Sequence, residues 1–365
     1  MTPSGRRRLL PKNKMISPGQ GEVAMKSTVH RCNKNIRAFL LFGLSLLFAS
    51  AALAQSDPVL VDDNDLVVTL LATNLGDFVS TESGPRSPQG EFSFAAWVEV
   101  GGKAFLFDTG WTPRNVLENA EMLGIDLSRA EDVVISHHHY DHVGGIETLR
   151  SELSKQNPNA ISRVHVAEGM FASRPEPDGR EDNLMIGIRQ RMEADGVEFI
   201  VYDEPSEIAP GVWLSGPIPR VHDERNFPVG PEWMIRQRDA VLPDTVPESQ
   251  VMVIQTKNGP VVITGCAHAG LINSLEYAGK FSNKTPQAAL GGFHLYGASD
   301  EVMSWTANHI KEMHLEHLLS AHCTGVEKAF TLRQLSGMDQ AHSRVGSVGT
   351  KFDGEKGIIP GFSNN

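Results

Sequence analysis

Downstream of residue 65, short apolar runs alternate with turn residues and with stretches whose apolar positions recur at helical spacing. Residues 66–72, 92–100 and 104–107 are rich in β-branched and aromatic side chains and are separated by turn formers, which predicts three strands. Thr112-Pro113 then fits the cap and first position of a helix, with Val116, Leu117, Ala120 and Leu123 on one face and Gly124 as its stop. Val133-Val134-Ile135 reads as a short buried strand that leads directly into a histidine cluster. A helical pattern resumes over 146–155. Residues 156–249 read as irregular, with turn-rich stretches at 174–179 and 228–231, and are expected to cover or shape a substrate site. The scheme then repeats, with strands at 251–255 and 261–264 around Lys257-Asn258-Gly259, a helix from the cap Ser299 to about His314, and a strand at 316–320. Strands and helices interleave in two comparable halves, which predicts an α/β fold of two packed sheets with helices outside.

The first 54 residues break this pattern. They hold nine Lys or Arg against the single acid Glu22, a net of +8; the whole chain is −11, so residues 55–365 carry −19. Such an excess opposes binding to nucleic acid or anionic lipid and argues against a nuclease. The basic stretch is followed by the apolar run 38–48 and by Ala52-Leu53-Ala54, the order of a secretory signal peptide, and the run is shorter than the ~20 residues that span a bilayer. Met25 would serve as a start for the same pattern. The expected organisation is a basic segment and signal over 1–54, a linker over 55–65, one domain over 66–350 with a substrate-site insertion at about 156–249, and a tail over 351–365. The mature chain is expected to be periplasmic or secreted, without a stable membrane anchor after cleavage, and to act on a small molecule. Cleavage removes Cys32 and leaves Cys266 and Cys323, which could form one disulfide or stay as buried thiols.

The chemistry is concentrated in Ser136-His137-His138-His139-Tyr140-Asp141-His142-Val143-Gly144-Gly145. Zinc and similar cations prefer imidazole and carboxylate ligands, and this spacing can supply two adjacent ions. His137 and His139 alternate on an extended turn and can face one ion, Asp141 and His142 can face a second, and His138 should point away. Gly144-Gly145 permits a tight backbone and a helix start beside the cluster.

The segment SHHHYDHVGG resembles the H-x-H-x-D-H motif of the metallo-β-lactamase superfamily. Phe107-Asp108-Thr109-Gly110, Thr264-Gly265-Cys266-Ala267-His268-Ala269-Gly270 and Ala321-His322-Cys323-Thr324-Gly325 resemble its other motifs. Together with Gly291-Gly292-Phe293-His294-Leu295 and Ser215-Gly216-Pro217-Ile218-Pro219-Arg220, they resemble the branch of dihydropterin-aminobenzene-ribofuranosyl-phosphate synthase-like hydrolases. The resemblance implies an αββα sandwich of two packed mixed sheets with outer helices. It makes His137, His139 and His268 ligands of one ion and Asp141, His142 and His322 ligands of the other, with Asp108 behind them holding ligands or solvent through hydrogen bonds. The wider superfamily has an Asp bridging both ions where this chain holds Gly291–Leu295. His294 is therefore a candidate ligand, substrate contact or support, and Asp141 and His294 are the candidate catalytic groups. His165, His222, His309, His314, His317 and His342 lack such motifs and are expected not to ligate. Cys266 and Cys323 each neighbour a proposed ligand histidine, so thiolate ligation and buried packing are both open. Arg220, Glu224 and Trp233 could line the pocket, Arg220 by pairing with a substrate carboxylate or phosphate.

One or two divalent ions, zinc first and manganese or iron next, would activate water for attack on an ester, lactone, amide or phosphoester. Two other classes stand beside this hydrolase. One is a transferase like the synthase that names the branch, which export disfavours. The other is a non-catalytic metal-binding module, which retention of the ligand set disfavours.

Overall fold

Along each central strand the side chains take turns between two dry faces. Phe105 and Phe107 enter one core while Ala104 and Leu106 enter another, as the two-residue period of a strand requires. A computed structural model describes residues 59–81, 84–224 and 233–361; the expected signal segment lies outside them. One eight-stranded sheet has the order Gly357–Ile359, Lys351–Asp353, Leu66–Ala72, Ala95–Val100, Lys103–Phe107, Asp132–Val134, Arg163–Ala167, Glu198–Tyr202. A seven-stranded sheet has the order Ser343–Val345, His317–Ala321, Ala288–Gly292, Gly259–Thr264, Val251–Thr256, Val212–Leu214, Ser206–Ala209. Val68, Leu70, Phe105 and Val134 of the first sheet meet Met252, Ile254, Ile263 and Leu290 of the second in the core between them.

Helices cover both outer faces. Asn115–Leu123, Ile146–Leu153 and Leu184–Ala194 pack on the first sheet through Val116, Ala120, Ile146, Leu149, Met185 and Ile188. Leu271–Ser282 and Asp300–Glu312 pack on the second through Leu275, Ala278, Met303 and Ala307. The result is the αββα sandwich, with parallel and antiparallel pairs in both sheets. Because Val251–Thr256 is covered on both sides, even Gln255 is buried, and its Nε2 is satisfied by donating to Ser282 Oγ at 2.6 Å. No helix among the described residues is long and apolar enough to cross a membrane.

Several boundaries differ from expectation. Residues 351–365 are not simply a tail: Lys351–Asp353 pairs with Leu66–Ala72, Gly357–Ile359 extends the edge, and Phe352 and Ile358 are buried. Residues 156–249 are not one irregular insertion either, since they supply Arg163–Ala167 and Glu198–Tyr202 to the first sheet and Ser206–Ala209 and Val212–Leu214 to the second. The first long helix begins at Asn115, not at Pro113, because the Trp111 and Thr112 amides donate instead to the Glu91 carboxylate at 3.0 and 3.2 Å. Gly124 ends that helix with φ 70°, as anticipated. Part of the expected linker is structured, with Val61 bridged to Thr256 and a 3-10 turn at Asp63–Asp65.

Candidate metal centre

Loops that leave parallel strands build the centre. Lys103–Phe107 delivers Asp108, Asp132–Val134 delivers Ser136 and His137, Gly259–Thr264 delivers Cys266 and His268, Ala288–Gly292 delivers His294, and His317–Ala321 delivers His322 and Cys323. Asp108 (φ 56°), Ala267 (52°), His294 (47°) and His322 (47°) all take the left-handed conformation, at a cost of about 1–3 kcal/mol each for residues with a Cβ. Surrounding bonds fix these turns. The Asp108 amide donates to Val134 O at 2.8 Å, the His322 amide to Thr73 Oγ1 at 3.0 Å, and Asn74 Nδ2 to His322 O at 3.0 Å.

The six expected ligands are brought together. Ring centroids lie 4.5 Å apart for His137 and His139, 4.6 Å for His137 and His268, and 4.8 Å for His139 and His268. His137 Nε2 and His268 Nε2 are 3.2 Å apart. On the other side, His142 and His322 have centroids 5.0 Å apart, and Asp141 Oδ2 lies 3.2 Å from His322 Nε2 and 3.7 Å from His142 Nε2. The short helix Tyr140–Val143 turns Asp141 and His142 inward. The His294 ring is tilted against that of His268, with centroids 4.6 Å apart.

Asp108 stands directly behind. Its Oδ1 accepts from the Ser136 amide, and its Oδ2 accepts from Ser136 Oγ and from His142 Nδ1, all at 2.7 Å. With Nδ1 engaged by Asp108, His142 Nε2 faces the centre. Ser136 Oγ, having donated to Asp108, accepts from His137 Nδ1 at 2.9 Å, which likewise turns His137 Nε2 inward. A Cβ at Gly265 would overlap Ser136 Oγ and lie 2.6 Å from Asp108 Oδ2, so only glycine lets this strand end approach. Gly144 and Gly145 serve the same purpose against the Trp111 and Thr109 carbonyls.

Burial first, and neighbouring imidazoles second, push His137, His139 and His268 well below the ordinary histidine range, so they are neutral with lone pairs available. Burial pushes His142 down too, but the Asp141 and Asp108 carboxylates outweigh it and hold it up at about 9. Burial would raise Asp141, yet His142 and His322 hold its carboxyl well below its usual range. Neutral imidazoles, an ionised carboxylate and convergent Nε2 atoms are the donor set a divalent ion requires. The ligand atoms of His137, Cys266 and His268 lie within 4.8 Å of one another, as do those of His142, Cys266 and His322. The donors present therefore fit a divalent metal.

His138 does point away. Its Nδ1 meets Glu248 Oε1 at 2.6 Å, while Arg174 bridges Glu248 Oε2 at 2.7 Å and Asp244 Oδ2 at 2.6 Å. All four residues are buried, and sequence reading did not single out Arg174, Asp244 or Glu248. Ser136 lay inside the motif with no role assigned.

Two expected pocket residues do something else. Arg220 donates Nη1 to His268 O at 2.6 Å and Nη2 to Thr245 O, so it clamps the backbone that carries His268. Glu224 accepts from the Ile272 and Asn273 amides at 3.1 and 2.7 Å, capping the helix Leu271–Ser282 from a distance. Trp233 is exposed and sits 6.5 Å from the His139 ring. It shares the mouth with exposed Phe92, 4.7 Å from His322, and exposed Tyr296, 5.2 Å from His294. Outside the cluster, His165 is engaged by Asp132 and Tyr202, His222 by Glu276 and His342 by Asp339. Cys266 and Cys323 are in no disulfide; their Sγ atoms are 3.1 Å apart and both are buried.

Comparison with known proteins agrees with this geometry. The family model of the metallo-beta-lactamase superfamily matches residues 88–305. A 7,8-dihydropterin-6-methyl-4-(beta-D-ribofuranosyl)-aminobenzene-5'-phosphate synthase of Methanocaldococcus jannaschii is 28% identical over 253 residues, 67% of this chain and 84% of that protein. An uncharacterized protein of the same organism is 26% identical over 261 residues, 71% of this chain and 93% of that one. Among solved structures, a metal-dependent hydrolase of the beta-lactamase superfamily superposes with a TM-score of 0.61 at 25% identity, covering 78% of this chain and 98% of that chain.

Proposed function

Because this chain belongs to the metallo-beta-lactamase superfamily, we propose that it is a metal-dependent hydrolase of a small ester, lactone, amide or phosphoester. The observation that carries the reading is the convergence of neutral His137, His139 and His268 with His142, His322 and ionised Asp141. When bound, a divalent ion supplies a Lewis acid and acidifies a water molecule. Zinc suits this donor set first, with manganese and iron next.

The chain's own groups do the rest. His137, His139 and His268 hold one side of the centre, and Asp141, His142 and His322 hold the other. Asp108 keeps the proton on His142 Nδ1, and Arg220 fixes the turn that carries His268. Asp141, being ionised, accepts a hydrogen bond from the attacking water and orients it. His294, beside Tyr296, is placed to bind the metal or to contact substrate. Phe92, Trp233 and Tyr296 favour a substrate with an apolar or planar part next to the scissile bond.

The likeness to the synthase of M. jannaschii supports a second reading, transfer to an acceptor other than water. The test loads purified protein with zinc, manganese or iron, measures bound metal, and assays an ester, lactone, amide and phosphoester panel with water as the only acceptor. Turnover that disappears on chelation and returns with metal is expected. Full turnover after complete metal removal would sink the scheme, and turnover only with a pterin acceptor would favour transfer. The order of basic, apolar and small residues in 1–54 supports export of the mature chain. Its test is the N-terminus of protein recovered from the periplasm or medium, expected at Gln55; an uncleaved N-terminus on cytoplasmic protein would refute it.

A further inference from the structure

The geometry points to Cys266 and Cys323 as metal ligands: we propose that their thiolates, together with His294, give the centre a sulfur-rich side next to its imidazole and carboxylate side. The inference rests on the metal reading above and adds ligands that the histidine motifs do not supply. Cys266 is common to three sets of potential ligands, one with His137 and His268, one with His142 and His322, and one with His294 and Cys323. Within each set all ligand atoms lie within 4.8 Å of one another. Cys266 Sγ is 3.1 Å from His142 Nε2 and 3.1 Å from Cys323 Sγ. Zinc bonds of about 2.3 Å to sulfur and about 2.0 Å to nitrogen place neighbouring ligand atoms roughly 3.3–3.8 Å apart, so small shifts bring these atoms around a shared ion.

The backbone reserves that space for sulfur. A Cβ at Gly292 would lie 2.8 Å from Cys323 Sγ and would overlap Gly265 O. A carboxylate side chain therefore cannot enter at position 292, where Cys323 Sγ occupies the space. Charge points the same way. The other proposed ligands are imidazoles, Asp108 is turned toward Ser136 and His142, and Asp141 is the one carboxylate facing His322. A buried divalent ion left with one carboxylate lacks compensating charge, which a thiolate provides as its proton passes to solvent. Sulfur ligands also favour zinc, cobalt and iron over manganese and magnesium.

Cobalt(II) spectroscopy on the reduced, metal-free full chain tests this, with bound cobalt measured independently. The wild type is expected to show near-ultraviolet thiolate-to-cobalt charge-transfer absorption. Cys266→Ser should lose at least half of it, and Cys266→Ser/Cys323→Ser should lose all of it while keeping ligand-field bands from the histidines. The double variant should also lose at least tenfold of the preference for zinc over manganese. Cobalt bound stoichiometrically to the wild type without charge-transfer absorption would overturn the thiolate assignment and leave the histidine centre standing. Failure to bind cobalt at all would overturn both. The decisive spectrum is the wild type's, so the test does not depend on the variants folding.

Discussion

Replacing Arg174 by Met exposes how strongly the buried charges behind the metal loop depend on one another. Arg174 and Asp244 are each 3% exposed, His138 is 7% exposed and Glu248 is wholly buried. Burial would raise the Glu248 carboxyl, but His138 first and Arg174 second outweigh it and hold it down at about 2, against an ordinary 4.5. A displacement of that size corresponds to about 3 kcal/mol. Its sign is that of a depressed acid: the stability is present above pH 4.5 and is lost as pH falls toward 2. Without the guanidinium, Asp244 loses its charged partner and Glu248 keeps only His138, so a cost of about 3–5 kcal/mol is expected near pH 8. Protonation of Glu248 becomes easier in the variant, so the deficit should shrink as pH falls toward 5. Urea denaturation of wild type and Arg174→Met at pH 8 and pH 5 measures both effects, and Arg174→Met/Glu248→Gln should recover part of the loss. A deficit under about 1 kcal/mol at pH 8, or one that neither narrows at pH 5 nor yields to the second substitution, would refute the coupling.

Three substitutions around the centre have equally definite outcomes. Asp108→Ala strips the acceptor from the Ser136 amide, Ser136 Oγ and His142 Nδ1; metal affinity should fall about 10–100-fold in a chelator competition, and an unchanged affinity would remove Asp108 from the centre. Glu224→Ala uncaps the helix Leu271–Ser282 and should cost about 1 kcal/mol in denaturant titration, with metal content and kcat retained; a lost activity would return Glu224 to the pocket. Gly265→Ala drives a methyl into Ser136 Oγ and Asp108 Oδ2, so about 1–3 kcal/mol of destabilisation and lower metal occupancy are expected together; a neutral change would contradict the close approach.

The sequence made the candidate ligands legible because each sits in a short motif just past a strand, where apolar alternation gives way to polar residues. His137, His139, Asp141 and His142 need only local spacing, and the αββα layers follow from interleaved strands and helices. What was not legible depends on distance. Thr112 looks like a helix cap, but Glu91, 21 residues upstream, takes its amide. Arg174 and Glu248 are 74 residues apart and become partners only after the sheets pack. Arg220 looked like a substrate ligand because a cation in a loop suggests an anion, whereas two carbonyls receive its donors. The strands at 351–353 and 357–359 escaped notice because three-residue edge strands carry too little pattern to stand out.

Those late strands also set when the centre can come into being. Leu66–Ala72 completes its pairing only when Lys351–Asp353 arrives, with Val68 opposite Phe352. The same early strand is followed by Thr73 and Asn74, which hold the backbone of His322 from 249 and 248 positions away. Closing loops of that length is slow, since chain entropy must be given up before any contact repays it. A nascent chain therefore presents the histidine cluster long before His322 is locked in place. A metal held by His322 together with the histidine cluster would require that the two extremes of the domain had met, and its occupancy would then report completed folding.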